Sequence, residues 1–287
     1  MICFYILGDM GSGEIYQLQV AIAMNEHIKK NKKKKVFICG LGDNIYEEGC
    51  RSINDKQFIN KFEIPYKMIP NNIKFYMSIG NHDYGTSYGK GNSLSQIRYG
   101  RRSEKENGKW ILPSNYYDYQ KKDKGNIVHF FVIDTNMDNL SDKEKKKQLR
   151  DMKRKIDKSN ADWKIVYGHH TWKSVGGHGN ANEELNNFLE TLYHKTPFDL
   201  YMCGHEHNKQ LINMKIDESI LPLVVCGTGG KMYSEYINYE NLNKTDQLEF
   251  LSNNLGYAFV QTSKRIMELY FFDENNNQEF YYKIKKI

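Results

Sequence analysis

The sequence is poor in cysteine, and it contains no long apolar run. Five cysteines stand among 287 residues, and an odd count without paired spacing argues against a disulfide framework. Every apolar run is too short to cross a bilayer. The chain passes from Met1 directly into an apolar strand, without a basic leader or a cleavage site. These absences predict a soluble cytoplasmic protein, or a secretory or lysosomal one if a leader precedes the chain.

The length and the charge of the chain restrict its organisation and its partners. A chain of 287 residues can bury a sizeable core, and we expect a single domain over 1–287 because the motifs described below span nearly all of it. The net charge is +6, and lysines cluster at Lys29–Lys35 and Lys143–Lys155, as is typical of solvated helix faces. No aromatic motif accompanies the lysines, so we expect a monomer with no nucleic-acid or membrane partner.

Five apolar runs share one ending, a glycine followed by a side chain that can bind a metal ion. Open α/β folds bind their ligands at the carboxyl ends of strands, where such turns present side chains. One turn of this kind is usually structural, whereas five in one chain indicate a shared site. The five turns are Gly8-Asp9, Gly42-Asp43-Asn44-Ile45-Tyr46, Gly80-Asn81-His82-Asp83, Gly168-His169-His170 and Gly204-His205-Glu206-His207.

The pattern along the chain predicts alternating strands and helices, followed by a region of strands alone. A long polar loop is expected from Tyr84 to Ser93, and loops of that length are often functional. This order of elements favours an α/β fold in which two sheets pack together between helices. Helices are expected over 15–30, 55–68, 142–158 and 183–195. Strands are expected over 2–7, 36–39, 75–79, 116–119, 127–134, 163–167, 200–203, 210–215, 221–226, 257–262, 266–272 and 280–284.

The side chains at the five turns suit a centre of two metal ions. A carboxylate can bridge two cations, so Asp43 suits the centre of such a site. Imidazole and amide groups favour borderline transition metals over calcium. Two ions about 3.5–4 Å apart can clamp the attacking and leaving oxygens of a displacement at phosphorus. A strand would point His205 and His207 to one side, whereas a tight loop would direct them to different ions.

The remaining histidines divide by their context. His82 follows Asn81 directly, so we expect it beside the ions, as a phosphate contact or a proton donor to the leaving alkoxide, with Asp83 as an orienting partner. His170 is left open between a supporting contact and a contact to substrate. Three others lack such a context and are expected at the surface or in packing: His27, His129 and His194.

Together the five turns resemble the motifs of the metallophosphoesterases. Tyr46, three residues after Asp43, is the mark of the purple acid phosphatases, and the sequence looks most similar to their small, tartrate-resistant type. The similarity covers most of the chain, including segments outside the turns at 92–99, 115–117, 131–135, 161–169, 227–230 and 256–269. It implies a four-layer α/β/β/α sandwich with two mixed sheets. It also implies a binuclear-metal acid phosphatase that hydrolyses phosphate monoesters by attack of a metal-bound hydroxide.

The resemblance implies a role for each site residue. His82 would act in catalysis at the phosphate, and His178, in Gly177-His178-Gly179, falls where the family keeps its second catalytic histidine. Spacing alone would not choose His178 over His170. Ligands to Fe(III) would be Asp9, Asp43, Tyr46 and His207. Ligands to a divalent Fe, Zn or Mn ion would be Asp43, Asn81, His169 and His205.

Three positions depart from the family pattern. Met10 stands where the family usually has tryptophan, a change expected to loosen a pocket wall. Glu206 replaces the usual aspartate between the two histidines, which is a mild change. The segment from Asn136 to Lys143 is shorter than the regulatory loop of secreted animal members, so their proteolytic activation is not expected here.

Two other functions compete with a monoester phosphatase. A calcineurin-like phosphodiesterase or protein phosphatase would use two divalent metals, but that class generally has no tyrosine at the position of Tyr46. A non-enzymatic scaffold with this fold would be expected to have lost ligands, and this sequence retains every ligand position. Metal analysis of the purified protein would separate these alternatives.

Overall fold

A computed structural model describes residues 1–31, 35–85, 93–232 and 236–286. The helices in these ranges are α1 Ile15–Lys30, α2 Asn81–Tyr84, α3 Ser93–Lys105, α4 Asp142–Asp157 and α5 Glu183–Lys195. The strands are β1 Ile2–Leu7, β2 Val36–Gly40, β3 Phe75–Met77, β4 Trp110–Ile111, β5 Tyr117–Asp123, β6 Asn126–Val132, β7 Trp163–Tyr167, β8 Leu200–Cys203, β9 Lys209–Ile216, β10 Ser219–Cys226, β11 Gln247–Ser252, β12 Gly256–Thr262, β13 Ile266–Asp273 and β14 Gln278–Lys285.

The strands form two mixed sheets of seven strands each. The first has the order β14-β13-β12-β1-β2-β3-β4, and the second has the order β11-β9-β10-β8-β7-β6-β5. Parallel pairing runs from β1 to β4 in the first sheet and through β6, β7, β8 and β10 in the second. The other pairs are antiparallel, and β12 lies beside β1 with Ile2 opposite Thr262. The first sheet therefore joins the two ends of the chain.

The two sheets pack face to face through aromatic side chains. The ring of Phe4 on β1 lies 5.1 Å from the ring of Phe130 on β6, and the rings meet edge to face. The next residue, Tyr5, points to the opposite side, where its ring lies 5.6 Å from His27 of α1. Successive strand residues face opposite sides of a sheet, so α1 covers the outer face of the first sheet.

The outer face of the second sheet carries its own apolar core. Phe131 of β6 packs there with Met152 of α4 and Leu189 of α5, and all three side chains are fully buried. The order of layers is helix, sheet, sheet, helix. The predicted four-layer α/β/β/α sandwich with two mixed sheets is therefore confirmed.

Several elements differ from the sequence-based expectation. The helix expected over 55–68 is shorter than predicted, because the helical residues there run from Gln57 to Glu63, and Ile59–Glu63 form a π-helix. Pro65 lies inside the expected span and has no backbone N–H with which to continue the helix. The helix α3 and the strands β4 and β11 were not expected. The loop expected from Tyr84 to Ser93 lies largely outside the described residues, since 86–92 are not among them.

The cysteines and the helices can each be compared with what the sequence indicated. All five cysteines are buried as free thiols. Within the described ranges, no helix combines the length and the apolar character needed to span a membrane.

Candidate active site

The five predicted turns meet at one end of the two sheets. The turn after β1 bonds to the turn after β2 through Asp9 N and Gly42 O, 3.1 Å apart. In the second sheet, Gly204 N donates to His169 O at 3.0 Å. The two sheets are linked where His205 N donates to Asp9 Oδ2 at 2.9 Å. The carboxyl ends of strands from both sheets therefore build one site.

Three residues of the site adopt the left-handed backbone conformation. The φ angles are 55° at Asp9, 48° at Asp43 and 71° at His205. This conformation costs a residue other than glycine about 1–3 kcal/mol, and such costs cluster at functional sites. Each of these residues directly follows a glycine that ends a strand, so the sharp turn directs its side chain into the site.

Two glycines are required by close approach to the carboxylates. A Cβ atom at Gly80 would lie 2.1 Å from Asp43 Oδ1, and one at Gly204 would lie 2.3 Å from Asp9 Oδ2. No side chain fits at these distances. The glycine in these strand-ending turns thus leaves the space that the carboxylates occupy.

One half of the site is built from Asp9, Tyr46 and His207. The Tyr46 hydroxyl donates to Asp9 Oδ1 at 2.9 Å and lies 3.1 Å from His207 Nε2. His207 Nε2 and Asp9 Oδ1 are 3.4 Å apart. All three side chains are buried. A phenol oxygen, a carboxylate oxygen and an imidazole nitrogen therefore converge on one small volume.

The other half is organised around His169. Its Nε2 atom lies 2.9 Å from Asn81 Oδ1, 3.4 Å from Asp43 Oδ1 and 3.2 Å from His205 Nδ1. Its Nδ1 atom lies 2.8 Å from Leu41 O, a carbonyl that can only accept a hydrogen bond. The proton therefore sits on Nδ1, and the Nε2 lone pair faces the other oxygens and nitrogen.

This donor set fits metal ions. The lone pair of His169 Nε2 faces oxygen lone pairs of Asn81 and Asp43, and such acceptors repel each other unless a cation lies between them. The ligand atoms of Asp9, Asp43 and His169 all lie within 4.8 Å of one another. His205 lies beside His169, whereas His207 lies beside Asp9. The tight turn thus separates the two histidines, as one of the two sequence-based alternatives expected.

The electrostatics of the protein atoms alone favour a bound positive charge. Burial raises the pKa of Asp9 well above its usual range, and the neighbouring Asp43 carboxylate raises it further. Burial also raises the pKa values of Asp43 and Tyr46. Burial lowers the pKa of His169 to about 3, so its ring is neutral and able to bind a metal. Cations bound in the site would stabilise the ionised forms of Asp9, Asp43 and Tyr46 and would so offset the effect of burial.

His82 lies beside the donor set, as expected. Its ring lies 4.5 Å from the ring of Tyr46, and its Nε2 atom is 3.9 Å from Asp43 Oδ2. Its Nδ1 atom is 2.6 Å from Glu47 O, which fixes the proton on Nδ1. The main chain also positions the residue, because His82 N donates to Asp43 Oδ1 at 3.0 Å.

Asp83 does not orient His82, contrary to the expectation. Its carboxylate is buried and accepts hydrogen bonds from the main-chain N–H groups of Asn44, Ile45 and Gly80 and from the Gln96 side chain. It thereby ties the turn that carries Asp43 to the turn that carries Asn81. Spacing could not have shown this role, because the side chain points away from its chain neighbour.

His178 is held at the edge of the site by Glu206. The Nδ1 atom of His178 lies 3.2 Å from Glu206 Oε2. Gly179 N donates to Glu206 Oε1 at 2.7 Å, and the Ser174 hydroxyl donates to the same oxygen at 3.2 Å. Burial raises the pKa of Glu206, but the hydrogen bond from His178 and the others together hold it below its usual range. The glutamate that departs from the family pattern is therefore the partner of this histidine.

His170 lies against the half organised around His169, and the ligand atoms of His169, His170 and His205 all lie within 4.8 Å of one another. Its ring is 4.5 Å from the ring of His205, and its Nδ1 atom is 2.8 Å from Thr135 Oγ1. Thr135 was not expected to contribute, and only its place at the end of β6 could have indicated it. Three histidines expected at the surface or in packing contact Tyr5, Asp118 and Asp217, respectively: His27, His129 and His194.

Known sequences resemble this chain over most of its length. The family profile described as calcineurin-like phosphoesterase matches residues 3–209. Purple acid phosphatase 4 of Arabidopsis thaliana is 28% identical over 298 residues, which cover 96% of this chain and 81% of that protein. Tartrate-resistant acid phosphatase type 5 of Rattus norvegicus is 32% identical over 213 residues, which cover 68% of this chain and 61% of that protein.

Solved structures share the fold. GAP50, described as the anchor in the inner membrane complex of Plasmodium, superposes with a TM-score of 0.82 at 23% identity, covering 100% of this chain and 89% of that one. The purple acid phosphatase PPD1 from yellow lupin seeds superposes with a TM-score of 0.71 at 16% identity, covering 99% and 53%. The four-layer sandwich is thus shared with a purple acid phosphatase.

Proposed function

This chain belongs to the calcineurin-like phosphoesterase family, and on that basis we propose that it is an acid phosphatase of the purple, tartrate-resistant type that hydrolyses phosphate monoesters at a binuclear metal centre. The observation that carries the proposal is the position of Tyr46. Its hydroxyl lies within hydrogen-bond distance of both Asp9 and His207, so one ion could bind all three groups. A phosphodiesterase with two divalent ions has no need for this third anionic ligand.

We assign the two ions to the two halves of the site. Fe(III) would be held by Asp9, Asp43, Tyr46 and His207. A divalent Fe, Zn or Mn ion would be held by Asp43, Asn81, His169 and His205. Bound ions would supply an activated water nucleophile and would stabilise charge on the oxygens displaced at phosphorus. The buried, mutually facing oxygen and nitrogen atoms described above support this assignment.

The two histidines beside the donor set receive different roles. His82 lies over Tyr46 and next to Asp43, which suits a hydrogen bond to the phosphoryl oxygens of a bound substrate. His178 lines a cavity that opens from the site, and Glu206 holds its ring. We propose that His178 delivers the proton to the leaving oxygen, because the leaving group would extend into that cavity.

We also propose a domain organisation, an oligomeric state and a class of partner. We propose that residues 1–287 act as one domain, because strands from both ends of the chain complete the first sheet. We further propose a monomer that binds a phosphomonoester and no nucleic acid. The lysine-rich helix α4 supports the latter point, because three of its lysines are paired with carboxylates of this chain: Lys145 with Glu184, Lys147 with Asp151 and Lys155 with Asp118.

Purified protein loaded with iron is expected to hydrolyse an aryl phosphate monoester faster at mildly acidic pH than at basic pH. A ferric ion should lower the pKa of bound water further than zinc does, for which the value is about 7. The measurement is the pH profile of kcat/KM for an aryl phosphate, beside an aryl phosphodiester and a phosphopeptide. Turnover of the diester without the monoester would favour the alternative phosphodiesterase, and the absence of any turnover would favour a scaffold.

Replacing Tyr46 by Phe is expected to remove a visible purple or pink absorption band from the oxidised, iron-loaded protein. A tyrosinate bound to Fe(III) gives this band by charge transfer, and phenylalanine offers no oxygen. The ring should still pack, since Tyr46 is buried against His82, so the fold should survive. The measurement is the absorption spectrum with iron content determined on the same sample.

A matched control comes from Tyr84→Phe, which also removes a partly buried hydroxyl that donates to a carboxylate, that of Asp134. That variant should stay coloured. A wild-type protein that contains ferric iron but is colourless would contradict the assignment. So would a Tyr46→Phe variant that retains the band.

A further inference from the structure

A cavity adjoins the proposed centre on the side of His178. It has a volume of about 270 Å³ and includes His170, His178 and His205 on its inner side. One outer wall is the loop after β6 with the 3₁₀ turn Met137–Asn139, and the other is the segment from 171 to the start of α5. A volume of this size suits the alcohol part of a small phosphate ester.

The outer walls of the cavity are polar and carry no positive side chain among the described residues. Amide groups line it from Asn139, Asn180 and Asn182, and the carboxylate of Asp138 is exposed at its edge. The first turn of α5 contains Glu183 and Glu184, of which Glu184 is paired with Lys145 at 2.6 Å. Such a surface can bind hydroxyl or ammonium groups, but it repels a second phosphate or a carboxylate.

Both walls are fixed to the site before any substrate binds. The 3₁₀ turn is anchored by Asn136, whose side chain donates to Ile79 O at 3.0 Å and to Asp134 Oδ1 at 2.9 Å. On the other wall, Asn180 accepts a hydrogen bond from Ser174 N at 3.0 Å and donates to Asn241 O at 2.7 Å. The main chain that carries Asp138 is therefore held at a defined place at the edge of the cavity.

We propose that this cavity selects phosphate monoesters by the charge of the leaving alcohol: small alcohols that are cationic or neutral are accepted, and alcohols with a second anionic group are disfavoured. Asp138 contributes to this selection. The proposal rests on the proposed phosphatase function and deepens it. It concerns the alcohol alone, since the phosphoryl group is common to every substrate.

The test uses three small alkyl phosphates of the same chain length that differ in the group at the end of the alcohol. One ends in trimethylammonium, one in tert-butyl and one in carboxylate. We expect kcat/KM to fall in that order, with about fivefold between neighbours, as for one pair of unit charges about 4 Å apart in water. Raising the salt concentration should reduce the differences, because the interaction is exposed to solvent.

Variants at Asp138 test whether this residue contributes to the selection between leaving alcohols. Asp138→Asn should lower the ratio of kcat/KM between the cationic and anionic substrates by roughly three- to tenfold, and Asp138→Lys should lower it further. Asp157→Lys makes the same change in net charge at the far end of α4, about 22 Å along the helix from Asp142. That control should leave the ratio unchanged.

The outcomes separate this inference from the function on which it rests. An enzyme that hydrolyses aryl phosphates but treats the three alkyl phosphates within twofold of one another overturns the inference and leaves the phosphatase assignment intact. The same holds if Asp138→Lys and Asp157→Lys change the ratio equally. If neither aryl nor alkyl monoesters are hydrolysed, both proposals fail.

Discussion

Asp43→Asn is expected to lower phosphatase activity by several orders of magnitude and, in the metal-free protein at neutral pH, to raise thermal stability. Asp43 is the carboxylate that the proposed assignment shares between both ions, and its Oδ1 atom lies 3.4 Å from His169 Nε2, so an amide in its place should cost both ions. Without ions, however, two buried carboxylates lie close together, and burial raises the pKa of each. Replacing one of these carboxylates by a neutral amide should therefore lower the free energy needed to bury the pair at neutral pH.

The pH dependence of the metal-free protein follows from the same shifts. Because the folded pKa values of Asp9 and Asp43 lie above the unfolded value of about 3.9, the folded state binds more protons than the unfolded state in that interval. Stability should therefore fall as pH rises from about 4, and this fall should be smaller in Asp43→Asn. The measurement is the thermal unfolding of chelator-treated wild-type and Asp43→Asn protein at several pH values.

Asp118→Asn should have the opposite effect on stability at neutral pH. Hydrogen bonds from His129 and Lys155 lower the pKa of Asp118 to about 2, so its carboxylate stabilises the fold above the unfolded pKa and loses that effect as pH falls. This substitution should reduce stability at neutral pH and leave metal content unchanged, because Asp118 lies outside the donor set. If Asp43→Asn instead destabilised the metal-free protein and kept both ions, the assignment of Asp43 would be wrong.

The sequence predicted those parts of the fold whose cause is local. Buried strands such as β1 and β2 are short apolar runs, and the glycine that ends each run marks the edge where the site forms. The site could be located for the same reason: five separate turns carry their chemistry in adjacent residues. The order of elements indicated two sheets packed between helices, whereas the mixed pairing within each sheet came only from the family resemblance, since strand pairing between distant segments leaves no local pattern.

Features that depend on contacts across the chain could not be predicted. The orientation of Asp83 depends on main-chain N–H groups of Asn44 and Ile45, which lie nearly forty positions earlier. Glu206 reaches His178 across twenty-eight positions. The helix expected over 55–68 is shorter than predicted for a local reason, because Pro65 has no N–H with which to continue a helix. This residue could have been used to place the end of the helix from the sequence alone.

The second large effect is expected at the two histidines, and the leaving group distinguishes their roles. His82→Ala should reduce kcat by about 10²–10³-fold, as when one hydrogen-bond donor to a transition state is lost. His178→Ala should reduce it by roughly 10²–10⁴-fold, as for positioned proton transfer. Both variants should keep two ions and the visible band, since neither histidine belongs to the proposed donor set.

The dependence on the alcohol separates the two histidines further. A proton donor matters most when the departing alkoxide is strongly basic, so the loss in His178→Ala should be larger for alkyl than for nitrophenyl phosphate. The loss in His82→Ala should be similar for both, because the phosphoryl group is common to them. His194→Ala, at the surface beside Asp217, is the control and should behave as wild type. Equal losses for both leaving groups in His178→Ala would reject it as the proton donor, and a metal-depleted His82→Ala protein would show that His82 is a ligand.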